Sequence, residues 1–181
     1  QCSVILCRMD KDGNIIWANT GGYHHNFRVM DDGTIYTLYR EWEELPNAEG
    51  DAEVLVDYIM LLDSDGNELR RVSLLKALED SPFAPVISNL RYAGDIFHTN
   101  SIQVLDGQLS DQIPAFREGN VMVCMLRPSL IAIVDMETER VVWGQTGQWL
   151  NPHDPKLLPS DTILIFDRKN IRNRFIRRKQ N

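Results

Sequence analysis

The chain has four histidines, His24, His25, His98 and His153, and each stands at the head of a strand-like apolar run. An imidazole titrates near pH 6.5. It can be a nucleophile or metal ligand when neutral, and a donor to a developing anion when protonated. Three chemistries compete for such a set. Three imidazoles with Asp154 could fill a tetrahedral Zn²⁺ shell, although no His-x-x-x-His or paired Cys-His spacing occurs. Each histidine could instead only hydrogen-bond and pin a strand corner. Or one could accept a sulfuryl or phosphoryl group while other imidazole, amide and guanidinium donors hold its oxygens, because such transfer is mostly positioning and electrostatics.

The elements that must position these residues read as β-hairpins. Short β-rich runs are joined at Asp12-Gly13, Asp32-Gly33, Asp65-Gly66, Gly107 and Gly119-Asn120, which are hairpin signals. Two hairpin units alternate. One is an apolar strand, an acidic turn and a second strand: VILCRMDKDGNIIWANTGG, YIMLLDSDGNELRRVSL and LIAIVDMETERVVWGQTG. Its first and third copies share Trp-x-x-Thr-Gly, at Trp17–Gly21 and Trp143–Gly147. The other starts with histidine: HNFRVMDDGTIYTLY, HTNSIQVLDG and HDPKLLPSDTILIFD. From His25, His98 and His153 to the turn Gly, or to Asp161 in its place, there are eight, nine and eight residues.

Two hairpins per repeat make a four-stranded antiparallel sheet, the blade of a β-propeller. The expected fold is therefore all-β, with material for about three blades. A closed ring has roughly four to eight, so the expectation is a segment of a larger ring, self-association to complete it, or an open array. Equivalent positions in successive blades come round one axis, which would bring the histidines together. His24 and His25 point to opposite faces of an extended strand. The polar residues following the other heads, Asn100 and Asp154, match Asn26, which selects His25. SLLKALED (73–80) fits either a short helix or an inter-strand loop.

These residues carry a resemblance. GGYHHNFRVMDDGTIY, DIFHTNSIQVLDG and VVWGQTGQW…PHDPKLLP…ILIFD resemble the arylsulfotransferase family, phenol sulfotransferases that use an aryl sulfate donor rather than a nucleotide. The likeness runs roughly from Val4 to Asp167. It implies a six-bladed propeller with a central active site, no cofactor, and a periplasmic or secreted setting. It also implies ping-pong transfer to a phenolic acceptor, with His153 transiently sulfated and His98, Asn100 and one of the His24/His25 pair holding the sulfuryl oxygens. The family's arginine in the strand after the His-x-Asn hairpin falls one place late here, at Arg127, and a one-residue slip along a strand reverses its face. The chain also lacks the family's Gly near Asp161, and Phe166-Asp167 runs into Arg168-Lys169 where the family continues into further strands. These departures sustain a second reading, a non-catalytic propeller segment serving as a structural or interaction module.

Composition narrows the partners. A net charge of −7 argues against nucleic-acid binding. No run approaches the roughly 18–20 apolar residues of a membrane span, and no signal peptide is visible. Residues 1–167 read as the propeller segment. Residues 168–181, with seven basic and no acidic residues, read as a solvated tail. Cys2, Cys7 and Cys124 form no disulfide framework: the first two fall on opposite strand faces, and Cys124 reads as core. Trp17 and Trp143 read as inter-blade packing. The acidic cluster Glu41, Glu43, Glu44, Glu49, Asp51 and Glu53 reads as a solvated loop, and the Asp63/Asp65/Asn67 alternation as Asx-turn chemistry.

Overall fold

The computed structural model describes residues 4–46, 52–88, 90, 92–147, 149–159 and 161–168. Cys2 and the basic run beyond Arg168 lie outside these residues. So do Glu49 and Asp51 of the acidic cluster.

Every hairpin unit forms, in strands β1 (Val4–Met9), β2 (Ile15–Gly21), β3 (His24–Val29), β4 (Ile35–Glu43), β5 (Val54–Leu62), β6 (Glu68–Ser73), β7 (Gly94–Asp95), β8 (Thr99–Val104), β9 (Val121–Met125), β10 (Leu130–Asp135), β11 (Arg140–Thr146), β12 (Pro152–Leu157) and β13 (Ile163–Asp167). Strands β3-β4-β5-β6 make one antiparallel blade, and β8-β9-β10-β11 a second. The two-residue β7 adds a parallel fifth strand to the first blade, beside Val54 and Leu55. A leading hairpin, β1-β2, and a trailing hairpin, β12-β13, stand as two-stranded sheets on either side. The histidine-headed strands β3, β8 and β12 lie next to one another, β8 between the other two. The chain is thus all-β, with antiparallel four-stranded sheets and partial blades.

The acidic turns explain why the hairpins close. Asp10 Oδ1 accepts from the backbone N–H of Asp12 and Asn14, and Asp63 Oδ1 does the same for Asp65 and Asn67. Each carboxyl is held below its ordinary pKa, first by the Asn side chain that donates to it and then by these N–H groups. Asp161 replaces the expected turn glycine at φ 60°, a conformation that Asp adopts more readily than most residues.

Burial on both faces makes the second blade's strands read as continuous apolar runs. Val121, Val123, Met125, Leu130, Ala132 and Val134 pack toward the first blade, while Met122, Cys124, Ile131 and Ile133 pack on the opposite side with Trp143, Trp149, Ile163 and Ile165. Trp17 and Leu6 of the leading hairpin pack on Tyr23, Ile35, Met60 and Leu62 of the first blade. SLLKALED resolves as a short helix, α1 (Leu74–Glu79), capped by Ser73, with Leu74, Leu75, Ala77 and Leu78 buried between the blades. Glu41 and Glu43, expected in a loop, lie in β4, where Glu41 pairs with Arg71 at 2.8 Å. Cys7 is exposed, and Cys124 is buried with its thiol pushed up to about 12 by that burial.

Candidate functional site

Each histidine head is a bulged strand start. The ladder slips between His24 and Phe27, between Thr99 and Ser101, and between His153 and Lys156. A bulge turns side chains out of the simple alternation and re-aims them. The left-handed residue is His25 (φ 54°) in the first head and His98 (φ 50°) in the second. In the third it is Asp154 (φ 43°), the residue after His153. Gly22 allows the first head to sit close against β4. A Cβ there would fall 1.8 Å from the Arg40 carbonyl oxygen, and the Arg40 N–H donates to Gly22 O at 3.0 Å.

The first two heads meet directly. The His25 and His98 rings meet edge-to-face, centroids 5.0 Å apart, and the His24 ring meets His25 at 5.2 Å. His24 and His25 share one proton between Nδ1 atoms 2.9 Å apart. Burial lowers the His25 pKa, and the charges of His98, Arg40 and His153 lower it further. His153 therefore lies within electrostatic reach of the group. Its own Nδ1 is 2.9 Å from the Asn151 carbonyl. A carbonyl can only accept, so Nδ1 carries the proton and the neutral ring presents Nε2 as its lone-pair nitrogen.

Three charged residues that the sequence reading passed over hold the cluster. Asp95 clasps His98: Oδ1 accepts the backbone N–H at 2.8 Å, and Oδ2 lies 2.5 Å from Nδ1. Asp57, fully buried in β5, accepts the Thr99 N–H at 2.7 Å and places Oδ1 3.7 Å from His24 Nε2. Neither of those two atoms has another protein partner. Burial pushes Asp57 up to about 6 and His24 down to about 3, so at neutral pH a neutral imidazole faces a carboxylate. Arg40 is the cation of the cluster. Half-buried within β4, opposite Asp57 in the β4-β5 ladder, it sits 3.9 Å from Asp95, and its charge reaches His24, His25 and Asp57. Asp57 had a legible signal, a lone carboxylate in the apolar run VLVDYIMLL. Arg40 had none, because its distance from the histidines in the chain hides its place.

Other predicted residues stand differently. Asn100 Nδ2 donates to Pro152 O at 2.8 Å, tying β8 to the residue before His153. Arg127 lies past the end of β9, exposed in the turn 126–129, its N–H bonded to Phe97 O at 3.0 Å. The face argument made for it in a strand therefore does not apply. Asp154 lies 2.8 Å from Lys156. Among the described residues, no group of three or more His, Cys, Asp or Glu could hold a metal ion, and no helix is long and apolar enough to cross a membrane.

A family model described as Arylsulfotransferase (ASST) matches residues 4–180. No curated protein and no solved structure matches the chain.

Proposed function

The chain belongs to the arylsulfotransferase family, and on that premise we propose that it moves a sulfuryl group from an aryl sulfate to a phenolic acceptor through His153. The observation that carries this reading is the convergence of His25 and His98, rings 5.0 Å apart, beside the strand that bears His153. His153 Nε2 attacks sulfur, and the bond from sulfur to the aryl oxygen breaks. Its electron pair leaves on the phenolate, which takes a proton from solvent. In the second half-reaction the acceptor phenol gives up its proton to solvent and its oxygen attacks the same sulfur. The N–S bond then breaks and returns the pair to Nε2.

The remaining residues share the electrostatic work. Asp95 Oδ2, 2.5 Å from Nδ1, fixes the His98 ring with Nδ1 as its donor, and Nε2 of the imidazolium form would donate to a sulfuryl oxygen. His25 flanks the same space. Arg40 supplies the fixed positive charge, in place of exposed Arg127. Asn100 acts through Pro152, by positioning the strand that presents His153. The propeller segment is residues 1–167, with 168–181 a basic extension, and the family resemblance implies a periplasmic or secreted setting. Exposed Arg127 supports the second reading, a propeller module that binds without turnover. Incubation with 4-nitrophenyl sulfate and phenol separates them. The transferase reading expects nitrophenolate release that depends on the acceptor and is abolished in His153→Ala. Equal release from both proteins, or none from either, defeats it.

A further inference from the structure

Adjacent residues of a regular strand point to opposite faces, yet His24 and His25 meet. The left-handed backbone of His25 and the ladder slip after His24 break the alternation, so the two Nδ1 atoms come within 2.9 Å. One of them must donate and the other accept. What faces the far side of the His24 ring decides which. Its Nε2 lies 3.7 Å from Asp57 Oδ1, both side chains being more than nine-tenths buried. Neither atom has a hydrogen-bond partner among the described residues. The separation is longer than a hydrogen bond, so the coupling is the field of a buried carboxylate. A carboxylate only accepts, and a bare ring nitrogen facing it would set two lone pairs against each other. His24 therefore carries its proton on Nε2 and accepts at Nδ1. His25 donates from Nδ1, and its own Nε2 keeps the lone pair.

We propose that Asp57 and His24 are positioning residues that set this tautomer, and that His25 is the base that takes the proton of the acceptor phenol. The step rests on the sulfuryl-transfer reading above. The phenol O–H bond breaks and its proton goes to His25 Nε2. The phenolic oxygen bonds to sulfur as the bond from sulfur to His153 Nε2 breaks, the electron pair returning to that nitrogen. His25, now an imidazolium, passes the proton to solvent and is neutral again. In the donor half-reaction it runs in reverse, taking a proton from solvent and giving it to the leaving phenolate. His25 is suited to this as an exposed ring whose pKa is lowered by burial and by the charges of His98, Arg40 and His153, against the opposing charge of Asp95. Arg40 and Asp95 act on His24 in the same two senses. Asparagine at position 57 should reverse the arrangement. Asp57 Oδ2 accepts the buried Thr99 N–H at 2.7 Å, and an asparagine keeps that bond only through its oxygen, which turns its NH₂ toward His24. A donor there makes His24 Nε2 the acceptor, moves the His24 proton to Nδ1, and leaves His25 protonated on Nε2.

Two measurements test the proposal. Long-range ¹H–¹⁵N spectra of the histidine rings in mildly alkaline buffer report which nitrogen holds the proton. The native chain should show it on Nε2 of His24 and Nδ1 of His25, and Asp57→Asn on the other nitrogen of each ring. Rapid mixing then separates the half-reactions. In Asp57→Asn, discharge of the sulfated protein by phenol should slow by roughly 10²–10⁴-fold, the usual contribution of a positioned base. Discharge by pentafluorophenol, which is ionised at neutral pH and needs no base, should slow far less, as should the nitrophenolate burst from 4-nitrophenyl sulfate. His25→Phe, at an exposed position, should give the same kinetic pattern, so the test stands even if Asp57→Asn folds poorly. Absence of a burst from the native chain would defeat sulfuryl transfer and the proton step with it, while the spectra still decide the tautomers. A native His25 protonated on Nε2, tautomers unmoved in Asp57→Asn, or equal slowing for both acceptors in His25→Phe would overturn the proposal with sulfuryl transfer intact.

Discussion

The first and second histidine heads use one backbone device in two electrostatic settings. Both place a left-handed histidine at a bulged strand start. At the first head, His24 turns inward onto buried Asp57, and desolvation strips its charge. At the second, His98 stays partly exposed, its Nδ1 clasped by the Asp95 carboxylate at 2.5 Å. Burial separates a histidine that holds the corner together from one equipped to meet an anion. His25, beside the first and against the second, belongs with the working set.

The largest expected effect falls on the cation that serves both heads. Arg40→Ala should lower kcat for sulfuryl transfer by roughly 10²–10³, the cost of removing one donor to a developing anion, while Arg127→Ala leaves it unchanged. Equal losses in the two variants would return the anion-binding role to Arg127. Next comes Asp57→Ala, which orphans the buried Thr99 N–H and should cost about 1–3 kcal/mol in urea unfolding. Asp95→Asn should do the reverse, shifting unfolding by less than about 1 kcal/mol, as a partly exposed pair does, while reducing kcat. If Asp95→Asn unfolds the protein and Asp57→Ala does not, the assignment of the two heads is backwards.

A smaller effect lies in the pH dependence of stability. Asp57, raised to about 6 from 3.8, binds its proton more tightly in the folded state, so it adds stability as pH falls from about 6 to 4. His24, lowered to about 3 from 6.5, binds its proton more tightly when unfolded, so it removes stability as pH falls from 6.5 toward 3. The two oppose each other between about 4 and 6. Thermal melts should therefore be flatter in the native chain than in either single variant. Asp57→Asn should lose stability steadily on acidification, and His24→Gln should gain it over the same window. Parallel curves for all three would mean that the pair does not titrate as placed.

Much of the fold was legible because hairpins announce themselves locally. Asp-Gly turns, alternation and the repeated Trp-x-x-Thr-Gly are short-range signals, and every hairpin they mark is formed. The histidines were legible through repetition alone. Their supporting charges were not, because Arg40 and Asp95 are brought together through β5, by the β4-β5 ladder on one side and the small β7 pairing on the other, rather than by spacing in the chain. Arg127 misled for the opposite reason. Its place was judged on the alternation of a strand that ends at Met125, two residues too soon.

The central claim is that His153 Nε2 carries the sulfuryl group between donor and acceptor. Rapid mixing with an aryl sulfate in the absence of acceptor, followed by mass spectrometry of the peptide containing His153 under alkaline conditions, tests it directly. An acid-labile sulfuryl adduct on His153, discharged when phenol is added, is the predicted result. An unmodified His153 peptide in a preparation that turns over, or an adduct on His25 or His98 instead, would contradict it.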